Sequence, residues 1–265
     1  MAPRSSLINV MADAARQAAR PLLRDFGELQ QLQVSKHTPA KFAAAATARC
    51  EQTLRRDLAR GRPGYGFALA PGHARGPGSA NPAQTSCWLV NPLSGANNFA
   101  HGVPHFCVSI AVLSEVGLVA GVVYDPLRDE TFWAEHGSAA YLNHHRLRVS
   151  ARDKLGNALL GIAGHPALGV ASRHERLHEI SRHGASMRQS GSIALDFAYV
   201  AAGRYDGCLA FDDDPVTLAA GVSLVREAGG FTTAFDGADD GWSKGDMIAA
   251  NPHLHASLVE AMSTA

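Results

Sequence analysis

Four histidines, His37, His101, His105 and His165, are the side chains best suited to hold a transition metal; His101 and His105 alone among them are four apart, with Gly102 and Pro104 between, and the chain has no Cys-x-x-Cys. Glycine and proline inside that interval keep the pair off one helix face, so the four predict no metal centre. The four cysteines, Cys50, Cys87, Cys107 and Cys208, are scattered too, and neither Cys107 nor Cys208 has a His–Asp frame to activate it. All four read as buried thiols of a reducing compartment. Asp212-Asp213-Asp214, just before Pro215, reads as an acidic loop or a helix N-terminal cluster rather than a ligand set. His144-His145 with Arg146 and Arg148 reads as a solvated hairpin. The most informative stretch is Trp88 to Ile110, WLVNPLSGANNFAHGVPHFCVSI. An apolar strand breaks at Asn91-Pro92, a small-residue turn runs from Ser94 to Asn98, and the chain re-enters a strand at Phe106. Glycine and small polar residues let the backbone pass close to a ligand, and successive N–H groups in such a turn form an anion nest.

The elements that must position this turn follow from periodicity. Ser5 or Ser6 caps a first helix with Ile8, Met11, Ala15, Ala18 and Leu22 on one stripe, ending at Asp25-Phe26-Gly27. A second helix runs from Lys41 to about Arg60, with Phe42, Ala46, Cys50, Leu54 and Leu58 aligned. After a short strand, Tyr65–Leu69, the Gly- and Pro-rich stretch 71–84 reads as a loop. Strands at Val103–Ser114, Gly117–Tyr124, Glu130–Glu135 and Ala139–Leu142 read as an antiparallel meander. From about residue 150 the pattern changes to a strand at Ala158–Ala163 and helices at Ala171–His183, Ile193–Ala202 and Val216–Ala228. We therefore expect an α+β half, 1–150, and an α/β half, 151–265, packed as one unit.

The totals exclude several classes. The 265 residues are 46% hydrophobic and 18% charged, an ordinary globular composition. Lys plus Arg and Asp plus Glu are both 24, so no net field draws the chain to nucleic acid or a membrane surface. No signal peptide and no long apolar run is evident, so a cytoplasmic protein is expected.

Several segments together resemble the inositol monophosphatase family, magnesium-dependent phosphatases of small phosphate monoesters. The Trp88–Ile110 stretch resembles its D-P-x-D-G-T-T-N-F core, and His101–Phe106 its H-G-x-P-x-F. Gly121–Pro126 and Gly137–Asn143 resemble its central sheet. Gly191–Gly207 is similar to its G-[ST]-A-A-L-D segment, and Leu218–Gly221 with Val225–Gly230 to its late helix. The resemblance implies a five-layer αβαβα sandwich of the inositol monophosphatase and sugar phosphatase type, usually a homodimer.

The resemblance also implies positions for the metal-binding carboxylates, and this chain departs from all of them. Ala70, Asn91, Ser94, Thr217 and Thr47 stand where acidic residues are expected, Ala96 where a water-orienting threonine is expected, and Ala210 where a glutamate would grip substrate hydroxyls. Lys36 matches a basic residue near the family's site, or is a salt-bridged surface lysine. With Lys36, the Gly95-Ala96 amides and the Gly191-Ser192 turn, the pocket could still attract an anion. The expectation is a non-catalytic pseudoenzyme that has lost its magnesium site and turnover, needs no cofactor, and binds a small anionic or polyol ligand or a protein partner. The alternative is a weak phosphatase of monoesters such as inositol monophosphate, recruiting magnesium through Asn91, the Leu93 carbonyl and the substrate. A third reading is a redesigned enzyme with another metal or none.

Overall fold

A computed structural model gives the fold; it describes residues 4–32, 39–70, 86–164, 170–211, 214–239, 242 and 245–263. Helix α1, Ser6–Leu32, begins where the Ser5 hydroxyl accepts the Ile8 N–H at 3.2 Å. The break expected at Gly27 does not occur. Phe26 and Leu29 extend the buried stripe, and buried Asp25 ion-pairs with Arg49 of α2, so tertiary packing outweighs the weak helix propensity of one glycine. Helix α2, Pro39–Gly61, buries Ala46, Cys50, Leu54 and Leu58 completely, as its spacing requires.

Seven strands form the first sheet in chain order: β1 (Gly66–Leu69), β2 (Ser86–Ser94), β3 (Cys107–Ser114), β4 (Gly117–Asp125), β5 (Glu130–Glu135), β6 (Ala139–Leu142) and β7 (His145–Arg146). Only β1 and β2 pair in parallel; the other neighbours are antiparallel. One expectation changes here. β2 does not stop at Asn91-Pro92; it continues to Ser94 across a register shift between Asn91 and Ser94. A bulge accommodates a proline, which has no N–H for the ladder. His145 and Arg146 are exposed, as a solvated hairpin requires, and pair with Leu142 and Tyr141 as an edge strand.

The second sheet has the order β11-β12-β10-β8-β9 and mixed direction. Its strands are β8 (Leu159–Gly164), β9 (Ser186–Arg188), β10 (Gly207–Phe211), β11 (Phe231–Thr233) and β12 (Met247–Ala250). Helices α5 (Ile193–Ala201) and α6 (Pro215–Glu227) lie between the sheets, α1 and α2 cover the first sheet, and α4 (Val170–Arg182) and α7 (His255–Ser263) cover the second. This is the expected five-layer αβαβα sandwich.

Strand alternation decides what faces the middle layer. Trp88 and Val90 pack toward α1 and α2, while Leu89 packs with Phe197 and Leu218 of α5 and α6. With a period of two, Asn91 follows Leu89 toward α6. A short helix, α3 (Ala96–Ala100), follows β2. It is anchored by Phe99, whose ring meets Phe106 edge-on at 5.1 Å and Phe26 of α1 at 5.7 Å. Such aromatic pairs add about 0.5–1.5 kcal/mol each beyond their buried area.

Candidate active site

The end of β2, the start of α3 and the starts of α5 and α6 converge between the two sheets. Asn91 is almost buried; its Nδ2 donates to Thr217 Oγ1 at 3.2 Å, and its Oδ1 accepts the Leu93 N–H at 3.1 Å. Thr217 lies in the first turn of α6, where Asp214 caps the helix by accepting the Val216 and Thr217 N–H groups. Pro215 at the first turn suits that start. Ser94 and Ser192 are both buried, with hydroxyls 3.1 Å apart, and Ser192 Oγ also donates to the Ser94 carbonyl at 3.2 Å. Cys107 Sγ sits 3.7 Å from Ser192 Oγ, and burial pushes its thiol up to about 12, so it stays protonated.

The two turns that carry these serines need glycine. Gly95 has φ 95°, and a Cβ there would lie 2.8 Å from the His105 carbonyl. Gly191 has φ 83°, and a Cβ would press on the Asn98 amide at 3.0 Å. Asn98 itself straps the turns together, donating to the carbonyls of His105 and Ser190 at 2.8 Å each.

The structure thus brings Asn91 to Thr217 and Ser94 to Ser192, with Gly95, Ala96 and Gly191 in the adjoining turns. The other expected positions are engaged elsewhere. The Thr47 hydroxyl donates to the Ala43 carbonyl of its own helix at 2.9 Å. Ala70 is buried with its N–H on the Val90 carbonyl, and Ala210 is buried in β10 opposite Ala163 and Met247. Lys36, His37, His165, Asp212 and Asp213 lie outside the described residues. Of the other two candidate histidines, His101 Nδ1 is 2.8 Å from the Asn97 carbonyl, and burial lowers the pKa of His105. A groove of about 610 Å³ lies elsewhere, between β7 and the C-terminal end of α6, lined in part by Arg146, Arg148, Arg226 and His253.

Sequence reasoning missed Asn98, Ser190 and the role of Asp196. The last had a signal: Asp196 is the one charged residue in Ile193–Ala201, and a lone carboxylate in an apolar helix between two sheets must be buried.

Magnesium takes oxygen ligands, usually including carboxylates. Here Asn91, Ser94, Ser192 and Thr217 offer only neutral oxygens, already bonded to one another. Among the described residues no cluster of three His, Cys, Asp or Glu side chains is placed to hold a metal. The residues present do not fit a preformed dication cage.

Two sheets interleaved with helices as a five-layer αβαβα sandwich are the architecture of the inositol monophosphatase and SuhB structures. The chain belongs to the inositol monophosphatase family, whose model matches residues 4–265. It is 41% identical over 262 residues to an inositol-1-monophosphatase of Mesorhizobium japonicum, covering 98% of this chain and 97% of that one. It is 42% identical to another from Caulobacter vibrioides, covering 96% and 100%. The extragenic suppressor protein suhB of Bartonella henselae superposes with a TM-score of 0.87 at 38% identity, covering 98% and 99%.

These relatives overturn two expectations, that the chain is a non-catalytic pseudoenzyme and that its magnesium site is lost. Both came from side-chain charge at five positions. Such charge bears on how tightly a bare dication is held in an empty site. It does not by itself decide whether a phosphate ester, which supplies anionic oxygens of its own to a cation, is bound and cleaved.

Proposed function

We propose that the chain is a phosphatase of small phosphate monoesters such as inositol monophosphate, acting where β2 meets α5 and α6. The observation that supports this most is full-length identity of 41–42% to proteins named inositol-1-monophosphatase. The site chemistry is compatible. Ser94, Ser192 and Thr217 are neutral hydroxyls able to donate to phosphate oxygens, and Asn91 holds Thr217 in place. Ser192 begins α5 without bonding the first-turn amides through its side chain, which leaves them to face an anion at the positive helix end. The Gly95-Ala96 turn approaches from the other side, on a backbone that only glycine relaxes into. In this reading Asn91, Ser94, Ser192 and Thr217 bind and orient the phosphate, and the buried seam limits the water that reaches it.

The test is release of inorganic phosphate from inositol 1-phosphate by the purified protein, with magnesium and with chelator, because the family is magnesium-dependent. We expect turnover with magnesium, and a fall of about tenfold or more in kcat/KM for Ser94→Ala with Ser192→Ala. Absence of release above buffer under every condition contradicts the proposal.

Two further properties belong to this reading. The chain pairs with a second copy, which sedimentation would show as a dimer mass. It works in a reducing compartment, which the four free thiols support. Among the described residues no helix is long and apolar enough to cross a membrane.

A further inference from the structure

Asp196 sits in the first turn of α5 with no exposure to solvent. One oxygen, Oδ1, accepts the Ser190 hydroxyl at 2.6 Å; the other, Oδ2, is buried and finds no hydrogen-bond partner among the described residues. A buried carboxylate with half its acceptors unsatisfied is costly. The group it does hold is well placed. Ser190 Oγ accepts the Ser192 N–H at 3.3 Å, and the Ser190 carbonyl accepts the Asn98 amide. Ser192 then carries its hydroxyl to Ser94. Hydrogen bonds therefore link Asp196 to Ser190 and Ser190 to the Ser192 backbone, and the Ser192 side chain carries the link on to Ser94, from a buried acid to the hydroxyls assigned to the phosphate.

We propose that Asp196 is a positioning residue whose carboxyl, acting through Ser190, holds the turn that presents Ser192 to Ser94 and so sets the affinity of the site for a phosphomonoester. The effect on affinity rests on the phosphatase reading; the coupling along the chain does not.

The surroundings make this a proton-dependent tie. Burial raises the Asp196 carboxyl to about 7, with Ser190 pulling weakly the other way. Tyr205, which precedes β10, and Cys107 of β3 face its charge, and both are themselves pushed up to about 12. Each is neutral where Asp196 titrates. Cys208 of β10 shares the space over Gly161 with Tyr205 and Asp196, at 3.0, 3.2 and 3.3 Å from where a Cβ would be. Arg188 of β9 acts on Tyr205, and on Asp196's own helix Tyr199 also faces Tyr205. The ionised carboxylate is the stronger acceptor for Ser190, so the tie is firm above the midpoint and loose below it. Hydrogen bonds to charged groups exceed neutral ones by enough to change affinity about tenfold.

The experiment follows the Ser192 amide and the Asp196 carboxyl by NMR from about pH 5.5 to about pH 8.5. It uses the wild type, Asp196→Asn, which keeps an acceptor of the same shape, and Ser190→Ala, which cuts the chain and leaves the acid. In the wild type the Ser192 amide should shift with the carboxyl's own midpoint. In Asp196→Asn the amide should be insensitive to pH, and in Ser190→Ala it should be insensitive while the carboxyl still titrates. In parallel, KM for inositol 1-phosphate should rise about tenfold as wild-type pH falls through that midpoint, with kcat little changed, and should stay flat in Asp196→Asn. An amide that ignores the carboxyl, or follows it equally in Ser190→Ala, overturns the proposal. An amide that follows it in a protein releasing no phosphate sustains the coupling and removes the phosphatase reading. A phosphate-releasing wild type whose amide ignores the carboxyl does the reverse.

Discussion

Single residues here do two jobs, satisfying buried polar atoms and presenting hydroxyls. Asn91 and Thr217 show the first. Thr217→Val keeps the shape but leaves Asn91 Nδ2 without its acceptor, so we expect a loss of about 1–3 kcal/mol in urea denaturation. Asp196 makes stability depend on pH. Its carboxyl rises from 3.8 to about 7 on folding, so its contribution is fully present below the lower value and is lost as pH climbs through the upper one. That interval corresponds to a loss on the order of 4 kcal/mol. Because other carboxylates weaken the fold in acid, the clean observable is the stability of wild type minus Asp196→Asn. This difference should fall between pH 4 and 8, and a flat line would refute the raised carboxyl.

At the scale of elements, the middle layer depends on close approach between helices. Gly221 of α6 faces Phe197 of α5, and a Cβ would stand 2.4 Å from the Phe197 Cβ. Gly221→Ala should therefore cost about 1–3 kcal/mol. Gly27, inside α1, has nothing within 4 Å of where a Cβ would be, so Gly27→Ala should stabilise by about 1 kcal/mol. Thermal or urea unfolding of the two variants checks both signs. The same elements show what could be read in advance. The stripe from Ala46 to Leu58 in α2 is a local pattern, and its 3.6-residue period was legible. The continuation of β2 through Pro92 was not, because it depends on Ser94 pairing with Cys107, thirteen residues on, across a bulge. Gly27 misled for the opposite reason: a terminator by propensity was overruled by Phe26, Leu29 and the Asp25–Arg49 pair. At the site, the glycine turns were visible, while the Ser190–Asp196 link was hidden because Asp196 lay in a motif read only for its family likeness and Ser190 just before it.

On the scale of the whole molecule, the first sheet is tied to the middle helices by polar contacts as well as by apolar packing. Asn91 reaches from β2 to α6, and Ser94 from β2 to the start of α5. Reading five neutral positions as loss of function treated the seam as a metal cage with its charges removed. The chain is 41–42% identical to proteins named inositol-1-monophosphatase, and in the proposed function the seam's hydroxyls are the groups that meet the phosphate. The direct measurement is the rate of phosphate release from inositol 1-phosphate in magnesium, comparing wild type with Ser94→Ala, Ser192→Ala and Thr217→Val combined in a protein shown by circular dichroism to be folded. The account predicts turnover in the wild type and at least a tenfold loss in the folded triple variant. No release by the wild type, or equal release by both proteins, would contradict it.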